Sequence, residues 1–66
     1  MINLTRINGK EFFLNVSLIE TLEANLDTTT IISTTVGKKY NVKETTDEII
    51  SKVIEFKRKI YITYTK

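Results

Sequence analysis

Apart from Ile7, the apolar positions between residues 2 and 14 fall in two short runs, Ile2-x-Leu4 and Phe12-Phe13-Leu14, on either side of an Asn8-Gly9 pair. An Asn-Gly between such runs is a strong hairpin signal, because glycine takes positive φ at no steric cost. Two registers compete. A two-residue loop would pair Leu4 with Phe13 and Ile2 with Asn15, scattering apolar groups over both faces. A three-residue loop, Ile7-Asn8-Gly9, pairs Arg6 with Lys10, Leu4 with Phe12 and Ile2 with Leu14. That register collects Ile2, Leu4, Phe12 and Leu14 on one face and leaves Asn3, Thr5, Glu11 and Phe13 on the other. A one-residue slip would invert the faces, so burial selects the second register. Its discordant feature is the like-charged Arg6/Lys10 pair, tolerable at an exposed hairpin end.

The device recurs. Gly37-Lys38-Lys39-Tyr40-Asn41-Val42 repeats the order glycine, lysine, charge, aromatic, any residue, aliphatic. A loop of Thr35-Val36-Gly37 pairs Ile32 with Tyr40 and Thr30 with Val42 and again puts the large apolar groups on one face. Between the two copies, residues 15–17 read as a tight turn or a single helical turn, held by Asn and Ser side chains. Residues 18–24 fit helical spacing through Leu18, Ile19 and Leu22, and fit alternation through Leu18, Glu20, Leu22 and Ala24; we read them as a strand. Residues 25–28 form a turn, and the β-branched run 29–34 is a strand.

The period then changes. Thr45 with Glu48 three residues later fits a capping box, and Asp47 and Glu48 place negative charge at the positive end of a helix dipole. Ile49, Ile50, Val53, Ile54, Phe56 and Ile60 form an apolar stripe wider than a heptad seam. Glu48–Lys52 and Glu55–Lys59 are favourable i,i+4 pairs, and Lys57-Arg58-Lys59 suits the carboxyl end of the dipole. The fold expected is α+β: a small twisted, mostly antiparallel sheet of about five short strands with one C-terminal amphipathic helix over its apolar face. Residues 1–60 make the single domain. Residues 61–66, with high strand propensity, form a tail that frays, continues the helix or adds an edge strand in an oligomer.

Composition narrows the function. In 66 residues without cysteine or histidine there is no disulfide, no zinc set and no imidazole base. A chain this short buries only about 60% of its unfolded surface, so self-association into a homo-oligomer is expected to add stability. A net charge of +2, from 10 basic and 8 acidic side chains, is too balanced to imply nucleic-acid binding on its own. No stretch approaches the roughly 18 apolar residues of a membrane span, and the amino terminus lacks a signal-peptide pattern, so a cytoplasmic protein is expected.

The candidate chemistry is sparse. Glu44, Asp47 and Glu48 are close enough in sequence to suggest a hard-cation site, but capping and dipole complementation account for the same residues. With no nucleophile elbow, phosphate-cradling loop or triad, we expect no catalytic residue, no metal, no cofactor and no enzyme activity. Arg6, Lys10, Lys38 and Lys39 at the hairpin tips and Lys57, Arg58 and Lys59 at the helix end are candidates for a basic patch, or are ordinary solvated charges. Phe13, left on the polar face, joins Ile7, Ile31, Tyr61 and Tyr64 as a candidate partner or subunit contact.

The run Met1-Ile2-x-Leu4-Thr5-Arg6-x-Asn8-Gly9-Lys10-Glu11-Phe12-x-Leu14-Asn15, followed by Leu18-Ile19-Glu20, resembles the FlbD/SwrD family of small bacterial flagellar proteins. Asp27-Thr28, Gly37-Lys38-Lys39-Tyr40, Val42-x-Glu44 and Lys57-Arg58-Lys59-Ile60 extend the likeness over roughly residues 1–60. Leu26 departs from it, standing where the family often carries proline. The resemblance implies a non-enzymatic accessory protein that supports flagellar motor power or swarming through protein contacts. Met-x-x-Leu-Thr-Arg, five short strands and one C-terminal helix also resemble the CsrA group of dimeric RNA-binding regulators, which makes RNA the alternative partner.

Overall fold

The computed structural model describes the backbone of residues 1–64 and the side chains as far as Lys59. The strands are β1 (Ile2–Thr5), β2 (Glu11–Leu14), β3 (Ile19–Ala24), β4 (Thr30–Thr34) and β5 (Lys39–Val42), followed by the helix α1 (Thr46–Tyr64). All pairings are antiparallel, and the fold is α+β as expected. The five strands divide into a two-stranded sheet, β1-β2, and a three-stranded sheet, β3-β4-β5. An isolated bridge between Arg6 and Val42 joins them at one corner, beside a 2.8 Å hydrogen bond from Lys43 N–H to the Thr5 carbonyl.

Both glycine hairpins take the register that burial favours. Ile2 lies opposite Leu14 and Leu4 opposite Phe12; Ile32 lies opposite Tyr40 and Thr30 opposite Val42. Gly9 at φ 91° and Gly37 at φ 86° hold the left-handed position of each loop. A Cβ at either would meet open space, so backbone conformation and not crowding calls for glycine there.

The hairpin between β3 and β4 is a third copy of this loop without its glycine. Asn25 N–H donates to the Thr29 carbonyl at 2.9 Å, and Thr28 occupies the left-handed position at φ 71°. A β-branched residue is strained there. Asp27 compensates in part by accepting from the Thr29 N–H and hydroxyl, which also hold its carboxyl below the usual carboxylate range. Two substitutions should therefore stabilise this loop. Thr28→Gly removes the strain. Leu26→Pro fixes φ at a fully exposed site whose N–H donates no hydrogen bond. Leu26→Pro is expected to add about 0.4–1 kcal/mol by restricting the unfolded chain. Thr28→Gly relieves left-handed strain of about 1–2 kcal/mol, offset by about 0.5–1 kcal/mol for the freer unfolded backbone. Both should raise Tm by up to a few degrees in a thermal melt; a fall in Tm would contradict this account of the loop.

β3 explains the ambiguity of residues 18–24. Residues 16–18 form a 3₁₀ turn capped by Asn15, whose side chain accepts from the Ser17 N–H at 3.1 Å. Ile19 then pairs with Thr34 and Thr21 with Ser33, leaving Glu20 as an extra, bulged residue. The bulge resets the alternation, so Ile19 and Leu22 both pack against the core. Their three-residue separation imitates a helical period.

The core is Ile2, Leu4, Leu14, Ile32, Val42 and Ile49, flanked by the partly buried Val53 and Phe56 of α1. The capping box is complete: Glu48 N–H donates to the Thr45 hydroxyl and Thr45 N–H to the Glu48 carboxylate, both at 3.2 Å. α1 contacts β1 and β3, and its apolar stripe is only half used. Ile49 is buried, while Ile50 and Ile54 remain 48% and 51% exposed.

Candidate functional site

Arg6 occupies the corner where the two sheets meet. Its guanidinium carbon lies 4.2 Å from the Phe12 ring centroid and 5.6 Å from that of Tyr40. The two rings stack on each other at 5.2 Å. Phe12 belongs to the first glycine hairpin and Tyr40 to the second, so the stack ties Arg6 to both. A cation over an aromatic face is attracted to its quadrupole.

The candidate basic residues do not converge on one patch. Arg6 sits at one end of β1, close to Tyr40 of β5, the strand that Lys39 begins and Lys38 precedes. Lys59 lines a shallow cavity at the other end of β1, with Met1, Asn3, Lys52, Glu55 and Phe56. Four residues of strand, about 13 Å, separate the two ends. Arg58 pairs with Glu55 at 3.8 Å, and Lys57 lines a different groove, described below. Lys10 is exposed at the first hairpin.

The candidate contact residues are also dispersed. Phe13 is 68% exposed on the outer face of β1-β2, opposite Asn3, whose amide donates to Glu11 at 2.7 Å. Ile7 is exposed at the loop of that hairpin, and Ile31 is partly buried in β4, opposite Asn41. Tyr61 and Tyr64 fall among the side chains outside the described residues.

Among the acidic residues, the structure assigns Glu44 a task that spacing did not suggest. Its carboxylate accepts from the Thr5 N–H at 2.9 Å and the Thr5 hydroxyl at 2.8 Å. The Glu44 carbonyl accepts from the buried Thr30 hydroxyl at 2.8 Å. One residue thus ties β1, β4 and the start of α1 together. Burial pushes the Glu44 carboxyl up, but the two Thr5 hydrogen bonds and the nearby Lys52 charge outweigh it, and the group lies below its ordinary value. Glu48 is engaged in the capping box. Among the described residues, no group of three or more His, Cys, Asp or Glu side chains converges as a metal site requires. No helix among them is long and apolar enough to cross a membrane.

Neither a curated protein nor a solved structure matches this chain. The FlbD family, described as flagellar and swarming motility proteins, matches residues 1–61. That span takes in both glycine hairpins, the Arg6 stack and the Glu44 joint. The chain belongs to the FlbD family of flagellar and swarming motility proteins.

Proposed function

We propose that this protein is a non-enzymatic, cytoplasmic accessory of flagellar motility. It supports motor power or swarming by docking on a protein partner, and it works as a homo-oligomer. Phe13 carries the reading. It is a large aromatic group held outward on a short, well-registered hairpin, with about two thirds of its surface exposed. It points away from the core that its neighbours Phe12 and Leu14 join, and exposed aromatic side chains are common anchors of protein interfaces. Arg6, fixed by its two rings at the end of the same hairpin, supplies a pre-oriented cation for an acidic group on the partner.

The test is complementation of a motile bacterium that lacks the protein. Phe13→Glu should fold and accumulate normally, because the site is exposed, yet fail to restore swarming. Normal swarming by this variant would remove Phe13 from the contact surface. Pull-down with and without nuclease addresses the partner class. Retention of protein partners in raised salt after nuclease supports the reading. RNA enrichment that falls steeply with salt, through counterion release, and depends on Arg6, Lys38 and Lys39 would replace it with an RNA-binding regulator.

A further inference from the structure

An apolar groove runs between β3 and α1. Val16, Ile19, Leu22, Ile50, Val53 and Ile54 line it, with Glu20 on the strand side and Lys57 on the helix side. This is the surplus of the helix stripe: Ile50 and Ile54 lie about half exposed on the flank that the sheet does not cover. β3 is the outer strand of its sheet, so among the described residues no strand closes the groove from beyond it.

We propose that a second copy of this chain covers the groove, with Glu20 facing Lys57 of the partner subunit and the Ile50/Ile54 surface of each copy packed against the groove of the other. The proposal rests on the self-association in the functional reading and names the surface that performs it. Charge is the deciding argument. Glu20 and Lys57 are both exposed and form no ion pair with each other within the chain, although they border the same groove. A two-fold axis brings each residue of one copy against the corresponding surface of the other, so opposite-signed rims meet their complements twice. An unrelated partner would have to supply an apolar face with both charges in the reverse order. A second copy carries that arrangement already.

Edge-to-edge pairing of β3 is disfavoured by the same residues. Glu20 and Glu23 put like charges along the strand, and the bulge at Glu20 interrupts its ladder. Side chains over the groove, not added strands, therefore make the contact. The location also suits the energetics. A chain this small, with no cysteine to form a disulfide, gains most by burying apolar surface that its own sheet leaves open.

Light scattering and sedimentation velocity on the purified full chain at micromolar concentration test the idea without any motility readout, so the motility reading can fail while this one stands. The wild-type protein is expected to be a dimer. Ile54→Glu, at an exposed position, should keep its helical circular dichroism and run as a monomer. Glu20→Lys and Lys57→Glu, each alone, should weaken association by about tenfold, because both cross-copy contacts become like-charged. Mixing the two single variants should restore it, since every contact in the mixed dimer again pairs opposite charges. A rim pair confined to one chain would not respond to mixing. A monomeric wild-type protein, a dimer indifferent to Ile54→Glu, or a mixture that stays dissociated would each overturn the proposal.

Discussion

Leu4→Ala is expected to leave the protein largely unfolded at physiological temperature. Leu4 is fully buried in β1, opposite Phe12 and beside the core pair Ile2 and Leu14 on the same face of the hairpin. Truncating a buried leucine removes its transfer free energy and leaves a cavity, at a cost of about 2–5 kcal/mol. A single core in a chain this short supplies only about 3–5 kcal/mol in total. The two ranges overlap, so one side chain spans most of the margin. Thermal and urea denaturation at fixed protein concentration would measure the loss, because self-association also contributes to apparent stability. Val36→Ala, at an exposed loop position, is the control and should change stability by less than about 0.5 kcal/mol. Equal stability of Leu4→Ala and the control would mean that the core is not where the structure puts it.

The second large effect is expected at Glu44. Glu44→Ala leaves the part-buried Thr5 N–H and hydroxyl without their acceptor, and a hydrogen bond to a charged group contributes about 1.5–3 kcal/mol. Partial exposure allows water to replace some of this, so we expect a loss of about 2 kcal/mol. Glu44→Gln keeps one acceptor oxygen and should lose less, about 1 kcal/mol. The carboxyl lies below its ordinary value in the folded state, so its contribution has a definite pH dependence. Stability from Glu44 is fully present above the unfolded glutamate pKa, about 4.3, and is lost as pH falls through that value and on through the lower folded one. The wild-type protein should therefore lose stability through this acid window, and Glu44→Gln should lose less over the same range. Parallel profiles for the two proteins would contradict the role assigned to this carboxylate. Asp27, also held low by Thr29, titrates in the same direction in both proteins and cancels in the comparison.

These two residues mark the limit of what could be read without the fold. Leu4 was legible as a core position because register is a short-range property. The turn chemistry of Asn8-Gly9 and the identity of the residues within a few positions of it suffice to choose between two pairings. The second hairpin and the capping box were legible for the same reason, and each is found as read. Glu44 was legible only as a charge near a helix start. Its partner Thr5 lies 39 positions away, and no local pattern connects them.

The candidate site divides in the same way. Phe13 stood out in the sequence because the favoured register forces it outward, and the structure leaves it exposed. The stacking of Arg6 on rings from two hairpins had no sequence signal beyond the conflict with Lys10. The bulge at Glu20 had one, the clash of periods across residues 18–24, which is what a single extra residue in a strand produces.

Within this chain, then, sequence alone settled whatever depends on interactions a few residues apart: the three turns, two registers, the helix start, and which residues are apolar on each face. Tertiary structure settled whatever depends on how finished elements meet. It divided the strands into two sheets joined at Arg6 and Val42, directed Glu44 to Thr5, and placed α1 so that Ile49 is buried while Ile50 and Ile54 are not. The physical reason is that periodicity specifies a face but not its partner. A stripe wider than the sheet beneath it must leave part of itself uncovered, and the packing angle of the helix chooses which part.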